Sequence, residues 1–262
     1  MKFSTSTSVL LLAGSVAASP LAERAIARRS GATRQAASRP NARIEDTSES
    51  TNWSGAVLVS TGFTSVSASV VAPTPSLPDD ADDSTQYCGS AWVGIDGDTC
   101  SSAILQTGFD FCIQGNDVSY DAWYEWLPAD AYDFSGITIS AGDTIEMSVT
   151  ATSKSSGSAT ITNKSNGDSV THTFTSASTE ADLCEENAEW IVEDFTEISS
   201  SGQESLAPFP AFDTITFTDA HATKDGSTVT PSGGETIDLV NEDNEVITTA
   251  SIDGDTVTVT YK

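Results

Sequence analysis

Histidine is nearly missing from this chain: His172 and His221 are the only two among 262 residues. There is no His-Glu-x-x-His and no Gly-x-Ser-x-Gly. A zinc-protease centre therefore lacks its ligands, and a serine hydrolase lacks both its elbow and its base. The Asp-Thr/Ser-Gly signature of pepsin-like enzymes does not occur either. Cysteine is limited to Cys88, Cys100, Cys112 and Cys184, with no Cys-x-x-Cys pair, so a structural zinc site is disfavoured and no metal or cofactor is expected. Apolar residues at a 3.6 period are wanting, which argues against helices.

Basic residues are scarce and displaced towards one end. Six arginines lie between Arg24 and Arg43, and beyond Thr51 only Lys154, Lys164, Lys224 and Lys262 stand against 34 acidic residues, a net charge of −30. Such a body repels nucleic acid and anionic membranes, so neither is expected as a partner. Two readings of the charge stay open: a protein suited to acid, where many carboxylates are protonated, or plain solubility.

The N-terminus carries Lys2, an uncharged stretch from Phe3 to Ala18 around Val9-Leu10-Leu11-Leu12-Ala13, and then small residues. That is the layout of a signal peptide over 1–18, too short to span a bilayer, so a secreted, extracellular product is expected. Residues 19–50, rich in Ala, Arg and Ser, cannot build a core and read as a basic pro-segment held on the acidic body; a disordered linker is the bland alternative. Arg28-Arg29 offers a processing site, and the mature chain is expected to start between Arg43 and Asn52. Four cysteines in a secreted chain suggest two disulfides, with three possible connectivities.

From 51 to 262 the chain reads as one all-β domain, expected to act as a monomer. Thr64–Val71, Thr144–Ala151 and Thr256–Tyr261 alternate at period two with β-branched residues, the pattern of an antiparallel sandwich or barrel. The same period assigns faces. Asp121, Trp123 and Glu125 share a side opposite Tyr120, Ala122, Tyr124 and Trp126. Glu189, Ile191, Glu193 and Phe195 oppose Trp190, Val192 and Asp194, and Ile104, Gln106 and Gly108 fall together.

Two segments are more specific than composition: Ala91-Trp92-Val93-Gly94-Ile95-Asp96-Gly97-Asp98-Thr99-Cys100 continuing through Ile104-Leu105-Gln106-Thr107-Gly108, and Asn187-Ala188-Glu189-Trp190-Ile191-Val192-Glu193-Asp194-Phe195. They resemble the paired motifs of the glutamic peptidases, or eqolisins, a family of secreted acid proteases. The resemblance implies an antiparallel β-sandwich of two large packed sheets, similar to lectins and glucanases. It implies Gln106 and Glu193 as catalytic residues, polypeptides as substrates, and Asp121, Trp123 and Glu125 as groove lining. It also selects a Cys100–Cys184 disulfide, which leaves Cys88 with Cys112. Trp92 and Asp96 are candidates for lining the groove or orienting Gln106, against the plainer reading of Trp92 as core and Asp96-Gly97 as a turn. Leu127 departs from the family, where an aromatic often precedes the proline.

The chemistry suits these residue types. A carboxylate can take and return a proton in acid, where a histidine would already be charged, and a glutamine amide donates at any pH. The rival readings are a glycoside hydrolase using Glu125 and Glu193 across a sugar cleft, or a carbohydrate-binding module using Trp123 and Trp126. Neither rival needs Gln106. Asn52-Trp53-Ser54 and Asn163-Lys164-Ser165 are glycosylation sequons.

Overall fold

The computed structural model describes residues 47–79, 81–129, 131–198, 204–241 and 243–262. The expected signal peptide and all but the last four residues of the expected pro-segment lie outside the described residues. Among those described there is no helix, and hence none long and apolar enough to cross a membrane.

Eighteen strands follow one another: β1 (Thr47–Ser50), β2 (Trp53–Val59), β3 (Phe63–Val71), β4 (Gln86–Ile95), β5 (Ile104–Gln114), β6 (Asp117–Leu127), β7 (Tyr132–Asp133), β8 (Thr144–Ser153), β9 (Ser156–Asn163), β10 (Ser169–Phe174), β11 (Asn187–Glu193), β12 (Thr196–Ile198), β13 (Glu204–Leu206), β14 (Thr214–Lys224), β15 (Ser227–Val229), β16 (Glu235–Val240), β17 (Val246–Asp253) and β18 (Thr256–Tyr261). The three segments that alternate most clearly in sequence are β3, β8 and β18, the last with the boundaries the pattern predicts.

Hydrogen bonding of the large sheet runs in the order β10-β9-β8-β3-β14-β18-β17-β16-β2-β11-β4-β5-β6-β7, one continuous ladder, and β12 and β13 pair apart from it as a small two-stranded sheet. The ladder folds back on itself. Strands β3, β8, β9 and β14 pack face to face on β4, β5 and β11, and this makes the expected all-β sandwich. All the main ladder pairs are antiparallel, while β1 joins β16 in parallel, so the ladder begins upstream of residue 51.

The interior between the two halves is filled from alternate positions: Val66, Ala68 and Val70 of β3, Met147 and Val149 of β8, Leu105, Phe109 and Phe111 of β5, and Trp190 and Val192 of β11. Fully burying one Leu, Phe or Met side chain contributes about 1.5–3 kcal/mol, so this period-two stripe is the main stabilising feature. The opposite face of β2, β11, β4, β5 and β6 carries a second, smaller apolar cluster of Trp53, Val57, Trp92, Ile104, Trp123, Leu127, Ile191 and Ile237. Polar site residues stand among these.

Both disulfides form in the connectivity implied by the resemblance, Cys88–Cys112 and Cys100–Cys184. The first bridges directly opposed residues of β4 and β5. Strand β11 ends at Glu193, but Phe195 keeps the face of Glu193, as alternation predicts: it packs with Ala207 and with Cys88 and Cys112, the next pair beyond Ser90 and Asp110 on that face. Of the two sequons, Asn163 is fully buried and its amide donates to Thr138 O and to Asp143 Oδ2, both at 2.8 Å, so in the folded protein it cannot carry a glycan.

Candidate active site

The site is a product of register. A two-residue turn, Gly115-Asn116, joins β5 to β6, and Gly115 takes a positive φ of 59° that suits the tight hairpin. Counting back from Gln114 opposite Asp117 puts Asp110 across from Asp121, Gly108 across from Trp123, and Gln106 across from Glu125. On its other side β5 pairs with β4, so that Gln106 meets Gly94, Gly108 meets Trp92, and Asp110 meets Ser90. Strand β4 in turn pairs with β11, aligning Gly94 with Glu189, Trp92 with Ile191, and Ser90 with Glu193.

Three transverse rows result on one face. The first holds Glu189, Gly94, Gln106 and Glu125. The second holds Ile191, Trp92, Gly108 and Trp123. The third holds Glu193, Ser90, Asp110 and Asp121. Gln106 and Glu193, far apart in sequence, therefore share a face with one strand, β4, and one row between them.

Within these rows the polar groups make specific contacts. Gln106 Nε2 donates to Glu125 Oε2 at 2.5 Å. Trp92 Nε1 donates to Glu193 Oε2 at 2.9 Å, so the indole orients the carboxylate from the middle row. Gln106, Glu193, Glu125, Trp92 and Trp123 are all buried. Trp53 braces Trp92 edge to face, with centroids 5.1 Å apart.

Two glycines give Trp92 its room. A Cβ on Gly108 would lie 2.5 Å from Trp92 Cβ and 2.3 Å from Ala91 O, and one on Gly94 would lie 2.9 Å from the ring at Cζ3. Any side chain at either position would push the indole from Glu193.

Asp96 stands apart from the rows. Its φ is 69°, a left-handed conformation that Asp tolerates better than most residues. Its carboxylate accepts four backbone N–H bonds: Cys184 and Glu185 on Oδ2 at 2.8 and 2.9 Å, Glu186 and Asn187 on Oδ1 at 2.7 and 3.2 Å. Burial pushes this carboxyl above its usual range, while the four N–H bonds pull it down. The side chain is committed to the segment leading into β11 rather than to the groove or to Gln106. Asp96, Cys100 and Cys184 are the one cluster of three potential metal ligands among the described residues, but the sulfurs are bonded to each other and the carboxylate is occupied.

Sequence reasoning overlooked Glu189 as a site group, although its parity with Glu193 places it on the same face. It is fully buried, and its Oε1 accepts the Asp98 amide N–H at 3.2 Å. Burial first, then the charges of Asp98 and Asp96, push its carboxyl well above the ordinary glutamate range. Asp110, opposite Asp121, was also passed over. The Gly115-Asn116 turn was the signal from which both the Gln106–Glu125 and Asp110–Asp121 pairings follow.

Residues 51–261 match the model of the peptidase A4 family. The chain is 48% identical to aspergillopepsin-2 of Aspergillus niger, over the full length of both proteins. It is 46% identical to scytalidopepsin B of Scytalidium lignicola over 80% of this chain and 77% of that protein. Among solved structures, scytalido-glutamic peptidase with a peptide-based transition state analog aligns with a TM-score of 0.73 and 43% identity, covering 81% of this chain and 98% of the other. Aspergilloglutamic peptidase from Aspergillus niger aligns at 0.62 with 60% identity, covering 67% of this chain and 99% of the other.

Proposed function

Since the chain belongs to the peptidase A4 family and is an endopeptidase of the glutamic type, we propose that Glu193 and Gln106 carry out its hydrolysis of peptide bonds. One observation supports the assignment above others. Each residue has its own dedicated buried partner on the same face, Trp92 Nε1 for the carboxylate and Glu125 Oε2 for the amide.

The ionised Glu193 takes a proton from water as the water oxygen attacks the scissile carbonyl carbon. Negative charge develops on the carbonyl oxygen and is met by Gln106 Nε2, which has a second hydrogen beyond the one given to Glu125. Glu193 then returns the proton to the departing nitrogen, the C–N bond breaks, and a carboxylic acid and an amine leave. The indole N–H holds Glu193 in one orientation through both transfers. An acidic working range suits this inventory, because the base is a carboxylate, which can still take a proton in acid where a histidine would already be charged.

Asp110 and Asp121, in the row of Glu193, and Trp123, in the row between Glu193 and Gln106, line the route of a polypeptide substrate. The enzyme is secreted through the segment 1–18, and the arginine-rich segment 19–50 accompanies the acidic body until acid releases it. The sugar-directed readings have no use for Gln106 and find no support in the family.

The test is incubation of purified mature protein with a denatured protein substrate at acidic and neutral pH, with a chelator and with pepstatin in separate arms. Acid proteolysis indifferent to both additives is expected. Glu193→Gln should be inactive though folded, and Gln106→Ala should lose roughly 10²–10³-fold in turnover. Substantial activity in folded Glu193→Gln would remove the assignment.

A further inference from the structure

The reaction just described leaves Glu189 without a task. Its Oε1 is held by the Asp98 amide, yet its Oε2 is buried with no hydrogen-bond partner. Gln106 shows the complementary gap: Nε2 is bonded to Glu125, while Oε1 is buried with no partner. The two residues are separated in their row by Gly94 alone. A Cβ placed on that glycine would lie 3.1 Å from Glu189 Oε2 and 3.4 Å from Gln106 Cβ, so the missing side chain is what lets the carboxyl approach the glutamine.

We propose that Glu189 is a positioning residue for Gln106: its carboxyl directs a hydrogen towards Gln106 Oε1, across Gly94, through one bridging water. This inference rests on the reading of Gln106 as the oxyanion donor. The groups that face Glu189 are acidic or uncharged from every side. They are Asp96 and Asp98 after β4, Glu193 further along β11, Gln106 of β5 with Glu125 of β6 behind it, and Val57 of β2 with Glu235 of β16 behind it. No cation among them favours an ionised Glu189, which agrees with the raised carboxyl already described.

With Glu125 accepting from the nitrogen and Glu189 donating to the oxygen, the amide is fixed at both ends. A carboxamide rotated by half a turn would set oxygen against the Glu125 carboxylate and nitrogen against the Glu189 hydroxyl. Only the unrotated amide keeps its second N–H for substrate. Once Glu189 ionises, two acceptors face each other across Gly94 and this constraint is lost. Ionisation of Glu189 therefore contributes to the alkaline limb of turnover.

The experiment compares Glu189→Gln, Glu189→Leu and Glu193→Gln in the activated enzyme. It measures kcat and KM across pH on a peptide substrate, with near-ultraviolet circular dichroism as the check on folding. Glu189→Gln keeps an oxygen for Asp98 and an N–H for Gln106 at every pH. Its acid kcat should stay within about threefold of wild type, and its alkaline limb should move to higher pH. Glu189→Leu, which can donate nothing, should lose about tenfold or more in kcat with little change in KM. A folded Leu variant with wild-type kcat, or an unmoved alkaline limb in the Gln variant, overturns the proposal. Should the Leu variant fail to fold, the profile of the Gln variant decides alone. An active Glu193→Gln would instead sink the catalytic reading itself; an inactive one beside unaltered Glu189 variants sinks only this inference.

Discussion

Replacing Asp96 with Asn isolates one oxygen. Asn accepts the φ of 69° about as readily as Asp, so the backbone has no reason to move. What changes is that one carboxylate oxygen, with the two N–H bonds it accepts, becomes an NH₂ group. Two buried donors then face another donor. Each lost acceptor costs about 1–3 kcal/mol, or about 2–6 kcal/mol together. At roughly 2–4 °C per kcal/mol for a domain of this size, Tm should fall by about 5–20 °C. The difference should depend on pH in a defined direction. Because burial raises the folded value, the folded protein binds the extra proton, so below the unfolded value the contribution of Asp96 is complete and the contrast with the non-titrating Asn is greatest. As pH rises through the folded value the buried carboxyl must ionise against its desolvation, and the contrast narrows. Thermal melts of both proteins at several pH values, with Cys100–Cys184 verified intact by peptide mapping, measure this. A Tm within about 2 °C of wild type throughout would show that the four N–H bonds do not hold the entry to β11.

Further outcomes follow from the same contacts. The Cys100–Cys184 bridge spans 84 residues against 24 for Cys88–Cys112. Loop-closure entropy therefore predicts a loss of about 4.5 kcal/mol for the Cys100→Ser, Cys184→Ser double variant and about 3.5 for the other pair; denaturant unfolding that reversed this order would contradict the entropic account. Glu125→Ala removes the acceptor that holds Gln106 Nε2 and should lower kcat about tenfold in a folded protein, whereas unchanged turnover would free Gln106 from dependence on it. Raised carboxyls at Glu189 and Asp96 mean that the folded protein binds more protons there. Their stabilisation is complete below the unfolded values and is lost as pH rises through the folded ones. His172, lowered by burial, acts the opposite way and costs stability as pH falls, but it is partly exposed. The mature body should accordingly melt lower at about pH 7 than at about pH 4, and Glu189→Gln should narrow the gap; equal Tm values at both would refute the sign.

Much of this architecture was legible in residue order. Strict alternation located β3, β8 and β18, and parity alone put Glu189, Ile191 and Glu193 on the face opposite Trp190 and Val192. Alternation says nothing of which strand lies beside which, so the single ladder that folds back as a sandwich could not be read from it. Nor could it mark where a strand ends: β11 stops at Glu193, although Phe195 keeps the parity and packs on Cys88 and Cys112 of the same face. Asp96 was weighed as a turn or a groove residue. Its four N–H partners come from residues 184–187, joined to it only through the fold and the disulfide, and no local pattern reveals them. Asn163 has a sequon at the level of sequence, but β9 buries it behind the 138–143 segment.

The chain's shortage of histidine and lysine and the make-up of its site express one chemical condition. The donors that hold the site's carboxyls, the Trp92 indole, the Gln106 amide and the backbone N–H of Asp98, keep their protons at any pH in which proteins fold. Every titratable group there is a carboxyl. The state of the site is thus set by how many carboxyl protons it holds, with no cation among the described residues of this face to neutralise the excess. A body carrying a net charge of −30 beyond Thr51 is subject to the same variable. Acid that relieves repulsion across the surface also keeps Glu189 neutral beside Gln106. Neutral pH opposes both, so folding and the geometry of the donor are coupled to proton concentration in the same direction.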